Sequence, residues 1–179
     1  MDLIRKAQLH ARDMRPYSDV LFNAAKFFNA GEHIDILEIG VRRGASTRAF
    51  LKGLKERIGT GHLYSIDKDD RRRVIRENKE NWTFLLGYSS TPPTREGYEH
   101  GEVEWDKKID ILFIDGDHTY EGAKADYFKY EPFVKEGGLI MMHDVTYSRF
   151  GVRFLWKAIN YPKAILPFNN SGLGIINKI

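Results

Sequence analysis

The 179-residue chain has 42% hydrophobic and 30% charged residues and a net charge of +3, too apolar for a disordered chain and of a size for one hydrophobic core. It has no cysteine, which excludes disulfides, thiolate nucleophiles and cysteine-ligated zinc, so any metal must be held by oxygen or imidazole. The pI near 9.0 owes much to Arg71, Arg72, Arg73 and Arg76; with no aromatic residues interleaved for base stacking, these read as solvated side chains starting a surface helix after Asp69 and Asp70, and nucleic acid is not the expected partner.

Met1 to Arg15 mixes charged with apolar residues and has no continuous apolar run, so neither a signal peptide nor a membrane span is expected and a cytoplasmic location is. Leu3, Ile4, Ala7, Leu9 and Ala11 suggest a short amphipathic helix. Ser18-Asp19 predicts the cap of a second, carrying Val20, Leu21, Ala24, Phe27 and Phe28. Residues 1–30 thus read as a helical cap, and residues 31–179 as the main body of a single domain.

Beyond Gly31, short apolar runs alternate with helical patterns: Ile34 to Ile39, His62 to Ile66, Thr83 to Leu86, Ile109 to Ile114 and Leu139 to Met142. This alternation predicts an α/β fold with a parallel sheet. Two further runs, Ala164 to Phe168 and Leu173 to Asn177, are joined by Asn169-Asn170-Ser171-Gly172, a hairpin signal that predicts an antiparallel pair closing the sheet. Ser89 to Pro93 and Glu96 to Asp106 read as loops.

The first strand runs into Glu38-Ile39-Gly40-Val41-Arg42-Arg43-Gly44-Ala45-Ser46, a glycine turn opening a helix, where backbone can approach a ligand closely. It is not the G-x-G-x-x-G dinucleotide fingerprint, because Arg42 takes the middle position and the carboxylate of Glu38 precedes the turn, where it would repel a pyrophosphate. A sulfonium nucleoside with a free amino group suits this turn, since Glu38 can hold a cation while helix-start amides and Ser46 receive a carboxylate. S-adenosylmethionine has both groups. Asp67 ends the second strand, where a carboxylate takes ribose hydroxyls in nucleotide-binding α/β folds. Glu38 and Asp67 also read as simple helix caps.

The fourth strand delivers Asp115-Gly116-Asp117-His118 to the same sheet edge, and the fifth delivers His143-Asp144. Several titratable groups therefore converge on one crevice. Methyl transfer to a hydroxyl needs the nucleophile aligned and its proton removed. A divalent cation on Asp115 and Asp144 would lower the hydroxyl pKa, and His118 would accept the proton. Asp117 reads equally well as a cap of the following helix, and His143 as a core histidine.

With these residues in view, the chain resembles class I S-adenosylmethionine-dependent methyltransferases over roughly residues 34–144. The resemblance is to the small O-methyltransferases typified by catechol O-methyltransferase and by the macrolide-sugar enzymes of the cephalosporin-hydroxylase-like group. Glu38-x-Gly40-x-x-x-Gly44-x-Ser46 resembles the family's first motif, Asp67 its ribose acid, Gly87-Tyr88-Ser89 its adenine-side turn, and Asp115 its first metal ligand, which also borders the cofactor.

The resemblance implies a Rossmann-like seven-stranded sheet with helices on both faces and a C-terminal hairpin. It also implies a small hydroxylated acceptor, with a homo-oligomer left open. His118 stands where the catechol enzymes have a lysine base and the macrolide-sugar enzymes a histidine. His143 and Asp144 fall at the next metal positions, where the family has an acid followed by Asn or Asp. Magnesium prefers oxygen ligands, so His143 either is not a ligand or shifts the implied preference toward manganese, iron or another softer divalent ion.

A nicotinamide-dependent Rossmann oxidoreductase is the first rival, and it would need a tighter glycine fingerprint and room for a substrate domain. A non-catalytic S-adenosylmethionine-binding module is the second. A nucleic-acid methyltransferase is the third, without an Asp/Asn-Pro-Pro-Tyr motif to support it. Tyr17, Phe22, Tyr147, Phe150, Phe154 and Trp156 are candidates for an acceptor pocket, each more readily read as core.

Overall fold

The computed structural model describes residues 14–90 and 100–179. The helix expected at Leu3 to Ala11 lies outside them. A 3-10 turn at Arg15–Tyr17 leads into α1 (Ser18–Phe27), so Ser18 is the first residue of the helix and its hydroxyl donates to the Met14 carbonyl at 3.3 Å, instead of capping as expected. Asp19 still places a negative charge in the first turn, where the helix dipole favours it.

The order then runs β1 (His33–Ile39), α2 (Ala45–Glu56), β2 (Thr60–Asp67), β3 (Trp82–Leu86), β4 (Ile109–Ile114), α3 (Tyr120–Tyr130), β5 (Val134–His143), α4 (Val152–Ala158), β6 (Lys163–Leu166) and β7 (Leu173–Asn177). All seven strands form one sheet in the order β3-β2-β1-β4-β5-β7-β6. The first five are parallel neighbours, and β7 pairs antiparallel with both β5 and β6. The expected Rossmann-like sheet and closing hairpin are both present.

Period-two side-chain alternation divides the core between the two sheet faces. Ile36, Phe113 and Met141 pack with Leu21, Ala25, Phe50 and Leu51 of α1 and α2. Their neighbours Leu37, Leu112 and Ile140 pack with Tyr127 and Tyr130 of α3 and Trp156 of α4. All six side chains of β4 are buried, the mark of a strand covered on both faces. The Arg57 guanidinium donates to the carbonyls of Ala25, Phe28, Asn29 and Glu32, fastening the chain leaving α1 to the end of α2.

The surface helix expected after Asp69 does not form. Residues 72–74 make a turn, with Arg72 donating backbone and side-chain hydrogen bonds to Asp70 and Arg71 paired with Asp69. An aspartate that takes up the backbone N–H two residues on stabilises a turn in competition with a helix.

Strand order reverses between β1 and β4, and such a reversal opens a crevice at the carboxyl ends of the strands. The register sets what faces it. Ile39 pairs with Ile66 and Ile114, Ile114 with Met142, and Asp67 with Leu86. Gly40, Asp67, Asp115 and His143 therefore leave the sheet at one level, with Gly87 one step beyond.

The docking of α1 depends on a small residue in α2. A Cβ on Gly53 would lie 2.4 Å from the Phe22 carbonyl oxygen and 2.6 Å from the Ala25 Cβ. Gly53→Val is expected to lower stability by about 1–3 kcal/mol through overpacking, read from chemical denaturation midpoints.

Candidate active site

Gly40 begins the site because only glycine fits there. Its φ is 90°, and a Cβ would come within 2.2 Å of the Asp115 carbonyl oxygen. Strands β1 and β4 can thus close together at the crevice, with the Asp115 N–H donating to the Ile39 carbonyl at 2.9 Å. Gly44, at φ 71°, starts α2 and faces Val74 and Ile75.

Glu38 and Ser46 meet each other beneath the glycine turn. Glu38 is fully buried and accepts hydrogen bonds from Ser46 Oγ at 2.5 Å, Thr47 Oγ1 at 2.8 Å and Ser65 Oγ at 2.6 Å. Trp82 Nε1 donates to Ser65 Oγ at 3.0 Å. The carboxylate thus ties β1, β2, β3 and α2 together beneath the crevice. The turn after Ile39 leaves it below the cleft floor, where its three hydroxyl partners occupy it. Burial pushes its carboxyl up to about 7, against the opposing effect of the three hydroxyls.

Asp67 lines a cleft of about 370 Å³ together with Gly40, Gly87, Ser89, Asp115 and His118. Its Oδ2 accepts from the backbone N–H groups of Val41 and Arg42 at 2.9 and 3.0 Å, and its Oδ1 from Asp69 at 3.0 Å. It therefore both caps the glycine turn and faces the cleft. Tyr88 bridges to Glu102, and Tyr130 Oη and Lys129 Nζ donate to the Ser89 carbonyl, each at 2.7 Å, so the Gly87-Tyr88-Ser89 turn has a fixed position on the cleft wall.

At the other end stand Asp115, His118 and Asp144, with one potential ligand atom from each within 4.8 Å of the others. Asp144 has φ 63°, uncommon for a residue with a side chain and concentrated at functional sites. Successive strand side chains point to opposite faces; this left-handed residue breaks that rule and brings Asp144 Oδ2 to 3.3 Å from His143 Nδ1. His143, buried behind the carboxylates, also has Nδ1 3.2 Å from Asp115 Oδ1, and its ring edge meets Tyr17.

His118 Nδ1 lies 3.0 Å from Asp144 Oδ2, and the His118 ring stacks on Phe150 at 4.4 Å. The hydrogen bond with Asp144 raises the pKa of His118 above its ordinary value, against the opposing effect of burial. Burial acts to lower that of His143, but the two carboxylates outweigh it and push the imidazole up to about 10. Burial would raise Asp144, yet hydrogen bonds from His118 and His143 hold it well below the usual carboxylate range.

Asp117 takes a capping position: its Oδ1 accepts from the Thr119 N–H at 2.9 Å, and Thr119 caps α3 through Gly122. Among the aromatic candidates, Tyr17 and Trp156 are core, and Phe154 is 52% exposed. Phe150, with Tyr147 against it, reaches His118.

A cleft residue absent from the sequence reading is Asp126 of α3. It is 1% exposed, and its Oδ1 accepts from Ser89 Oγ at 2.7 Å and Ser90 Oγ at 2.6 Å. Its signal is an acid in the stripe Ala123, Asp126, Tyr127 and Tyr130, the buried side of an amphipathic helix.

The model of a methyltransferase domain family matches residues 37–145. The chain belongs to that family. The uncharacterized protein R132 of Acanthamoeba polyphaga mimivirus is 26% identical over 163 residues, covering 87% of this chain and 70% of its own. The S-adenosylhomocysteine-bound methyltransferase PaMTH1 of Podospora anserina superposes with a TM-score of 0.66 at 15% identity, covering 100% of this chain and 89% of its own. MycE of the mycinamycin pathway, in complex with Mg and S-adenosylhomocysteine, gives 0.62 at 17% identity over 99% of this chain and 55% of its own. CalS11, a TDP-rhamnose 3′-O-methyltransferase of calicheamicin biosynthesis, gives 0.63 at 14% identity over 98% and 85%. Among the described residues, no helix of this methyltransferase is long and apolar enough to cross a membrane.

The burial of Glu38 makes a prediction about stability. The unfolded chain releases this proton near the ordinary 4.5, whereas the folded protein keeps it to about 7. Between those values the folded state binds more protons, so stability falls as pH rises, with the loss complete above about pH 7. Glu38→Gln is expected to flatten this decline, as measured by urea denaturation of both proteins from pH 4.5 to 8.

Proposed function

We propose that this methyltransferase transfers a methyl group from S-adenosylmethionine to a hydroxyl of a small molecule, with assistance from a divalent cation. The observation that carries the reading is the convergence of Asp115, His118 and Asp144 at one end of a cleft that also reaches Asp67 and the Gly87 turn. A nucleoside laid along it from Asp67 brings its sulfonium side toward the three titratable groups. The S-adenosylhomocysteine in PaMTH1 and the magnesium in MycE accord with this reading.

The donor set fits a divalent cation, with two carboxylates for a hard ion and imidazole that also admits manganese. Asp115 and Asp144 would hold it, with His143 alongside, and when bound it would lower the pKa of an acceptor hydroxyl. The protein's own contribution is the base. Asp144 engages His118 Nδ1, which leaves Nε2 as the accepting nitrogen, and stacking on Phe150 holds the ring plane. As the methyl carbon–oxygen bond forms, the carbon–sulfur bond breaks to a neutral thioether and the hydroxyl proton passes to His118.

His118→Ala is expected to reduce turnover about 10²–10⁴-fold while leaving S-adenosylhomocysteine affinity nearly unchanged, since a base acts on the transition state and not on nucleoside binding. Isotopic methyl transfer to a panel of hydroxylated acceptors, paired with calorimetry, separates the two effects. Wild-type turnover in the variant would remove His118 from the reaction.

Exhaustive chelation is expected to abolish methyl transfer, and added magnesium or manganese to restore it. Full activity after chelation would reject the cation. Asp67→Ala is expected to weaken S-adenosylhomocysteine by about 1–3 kcal/mol through loss of ribose hydrogen bonds. It should also lower the melting temperature of the ligand-free protein, because the same carboxylate caps the glycine turn.

A further inference from the structure

Asp144 stands where two chain segments fall out of step. His143 pairs with Leu173 in the antiparallel ladder of β5 and β7. Beyond the strand, the Thr146 N–H donates to the Ser171 carbonyl at 2.9 Å. The chain from His143 to Thr146 is therefore one residue longer than the hairpin segment from Leu173 to Ser171 that it faces. Such a surplus is that of a β-bulge, which bends the strand and re-aims a side chain. Asp144 absorbs it with φ 63°, and the Tyr147 N–H closes the bend on the Asp144 carbonyl at 3.2 Å.

The hairpin segment that holds the chain on both sides of Asp144 is itself organised by Asn169. Its Oδ1 accepts from the N–H groups of Ser171 at 2.9 Å and Gly172 at 3.4 Å, and from Tyr17 Oη at 2.8 Å. The turn so formed presents the Asn170 carbonyl to Thr146 Oγ1 at 2.9 Å, next to the Ser171 carbonyl taken by the Thr146 N–H. Gly172, at φ 68°, lets the two loops come this close, since a Cβ there would lie 2.6 Å from Thr146 Oγ1. Tyr17 is fully buried and its ring edge meets His143, so the side chain that donates to Asn169 also backs the last residue of β5. Asn169 stands outside the residues that line the cleft.

A residue with a side chain keeps a left-handed backbone only where its surroundings over-determine it. We propose that Asn169 is a positioning residue for the catalytic end. By fixing the turn at residues 170–172 against Thr146, it holds Asp144 in the left-handed conformation that sets Oδ2 at 3.0 Å from His118 Nδ1 and 3.3 Å from His143 Nδ1. This rests on the reading of Asp144 as a ligand of the cation. Without the Asn169 oxygen, two N–H groups and the Tyr17 hydroxyl lose their shared acceptor and the turn loosens on Thr146. Asp144 then returns to the backbone regions that a residue with a Cβ prefers, and the ligand set loses its preformed geometry. Asp67 and the glycine turn, held by contacts of their own, keep theirs.

The test is manganese binding, followed through the electron paramagnetic resonance signal of the free ion, alongside calorimetry with S-adenosylhomocysteine without added metal. Both are measured on the unaltered protein, Asn169→Ala, Thr146→Val and Thr146→Ser. Asn169→Ala is expected to weaken manganese about 10- to 100-fold, the usual cost of removing a group that orients a metal ligand, and to leave S-adenosylhomocysteine affinity nearly unchanged. Thr146→Val deletes the hydroxyl bond to the turn and is expected to weaken manganese about 3- to 10-fold, the range of one hydrogen bond. Thr146→Ser keeps that hydroxyl and is expected to bind manganese as the unaltered protein does. A general loss of stability would produce neither the split between the two ligands nor the rescue by serine.

Unchanged manganese affinity in a folded Asn169→Ala would overturn the inference, as would a parallel loss of both ligands. Should that variant not fold, the threonine pair decides, and equal manganese binding by Thr146→Val and Thr146→Ser overturns it. If the unaltered protein binds S-adenosylhomocysteine but no manganese, the cation reading itself fails and takes the inference with it.

Discussion

The site depends on the register of four parallel strands. Because Ile39, Ile66, Ile114 and Met142 lie level across β2, β1, β4 and β5, the next residue of each strand emerges at one edge, and those residues are Asp67, Gly40, Asp115 and His143. A slip of one residue would turn each strand's side chains to the opposite face and take these four residues off their common level. The apolar demand of two covered faces therefore fixes the placement of the polar groups.

Glu38 illustrates how this arrangement uses a buried charge. It lies one residue before the register line, and its two oxygens serve three hydroxyls from β2 and α2. The cost of burying a carboxyl is partly offset by those bonds, and the carboxyl's affinity for its proton rises accordingly. In return, the glycine turn above it is held from below by Glu38 and from the side by Asp67, whose Oδ2 takes the backbone N–H groups of Val41 and Arg42. A ligand meeting this turn meets a rigid backbone.

The two ends of the cleft are built on contrasting principles. At Asp115, His118, His143 and Asp144, carboxylates and imidazoles face one another closely, so each group's protonation depends on its neighbours and on any cation among them. At Asp126, a single buried carboxylate accepts from the hydroxyls of Ser89 and Ser90. The first arrangement couples the protonation of its members, and the second holds the Ser89-Ser90 wall in place. Asp67 lines the same cleft.

The sequence by itself determined the alternation of strands and helices, the closing hairpin and the crevice-facing positions of Asp67, Asp115 and His118, because apolar period and turn chemistry are local properties. The family resemblance added the seven-stranded count and the order of the motifs. Tertiary structure decided the rest. The meeting of Glu38 with Ser46, Thr47 and Ser65 turned on how α2 and β2 pack beside β1, and the helix expected from Arg71 onward lost to aspartate-stabilised turns. The meeting of His143 with Asp144 required a left-handed backbone at Asp144 that no local pattern signals. Asp126 became visible only when α3 packed its buried stripe against the Ser89-Ser90 loop, since a contact across 36 and 37 residues of chain leaves no periodicity in the sequence to read.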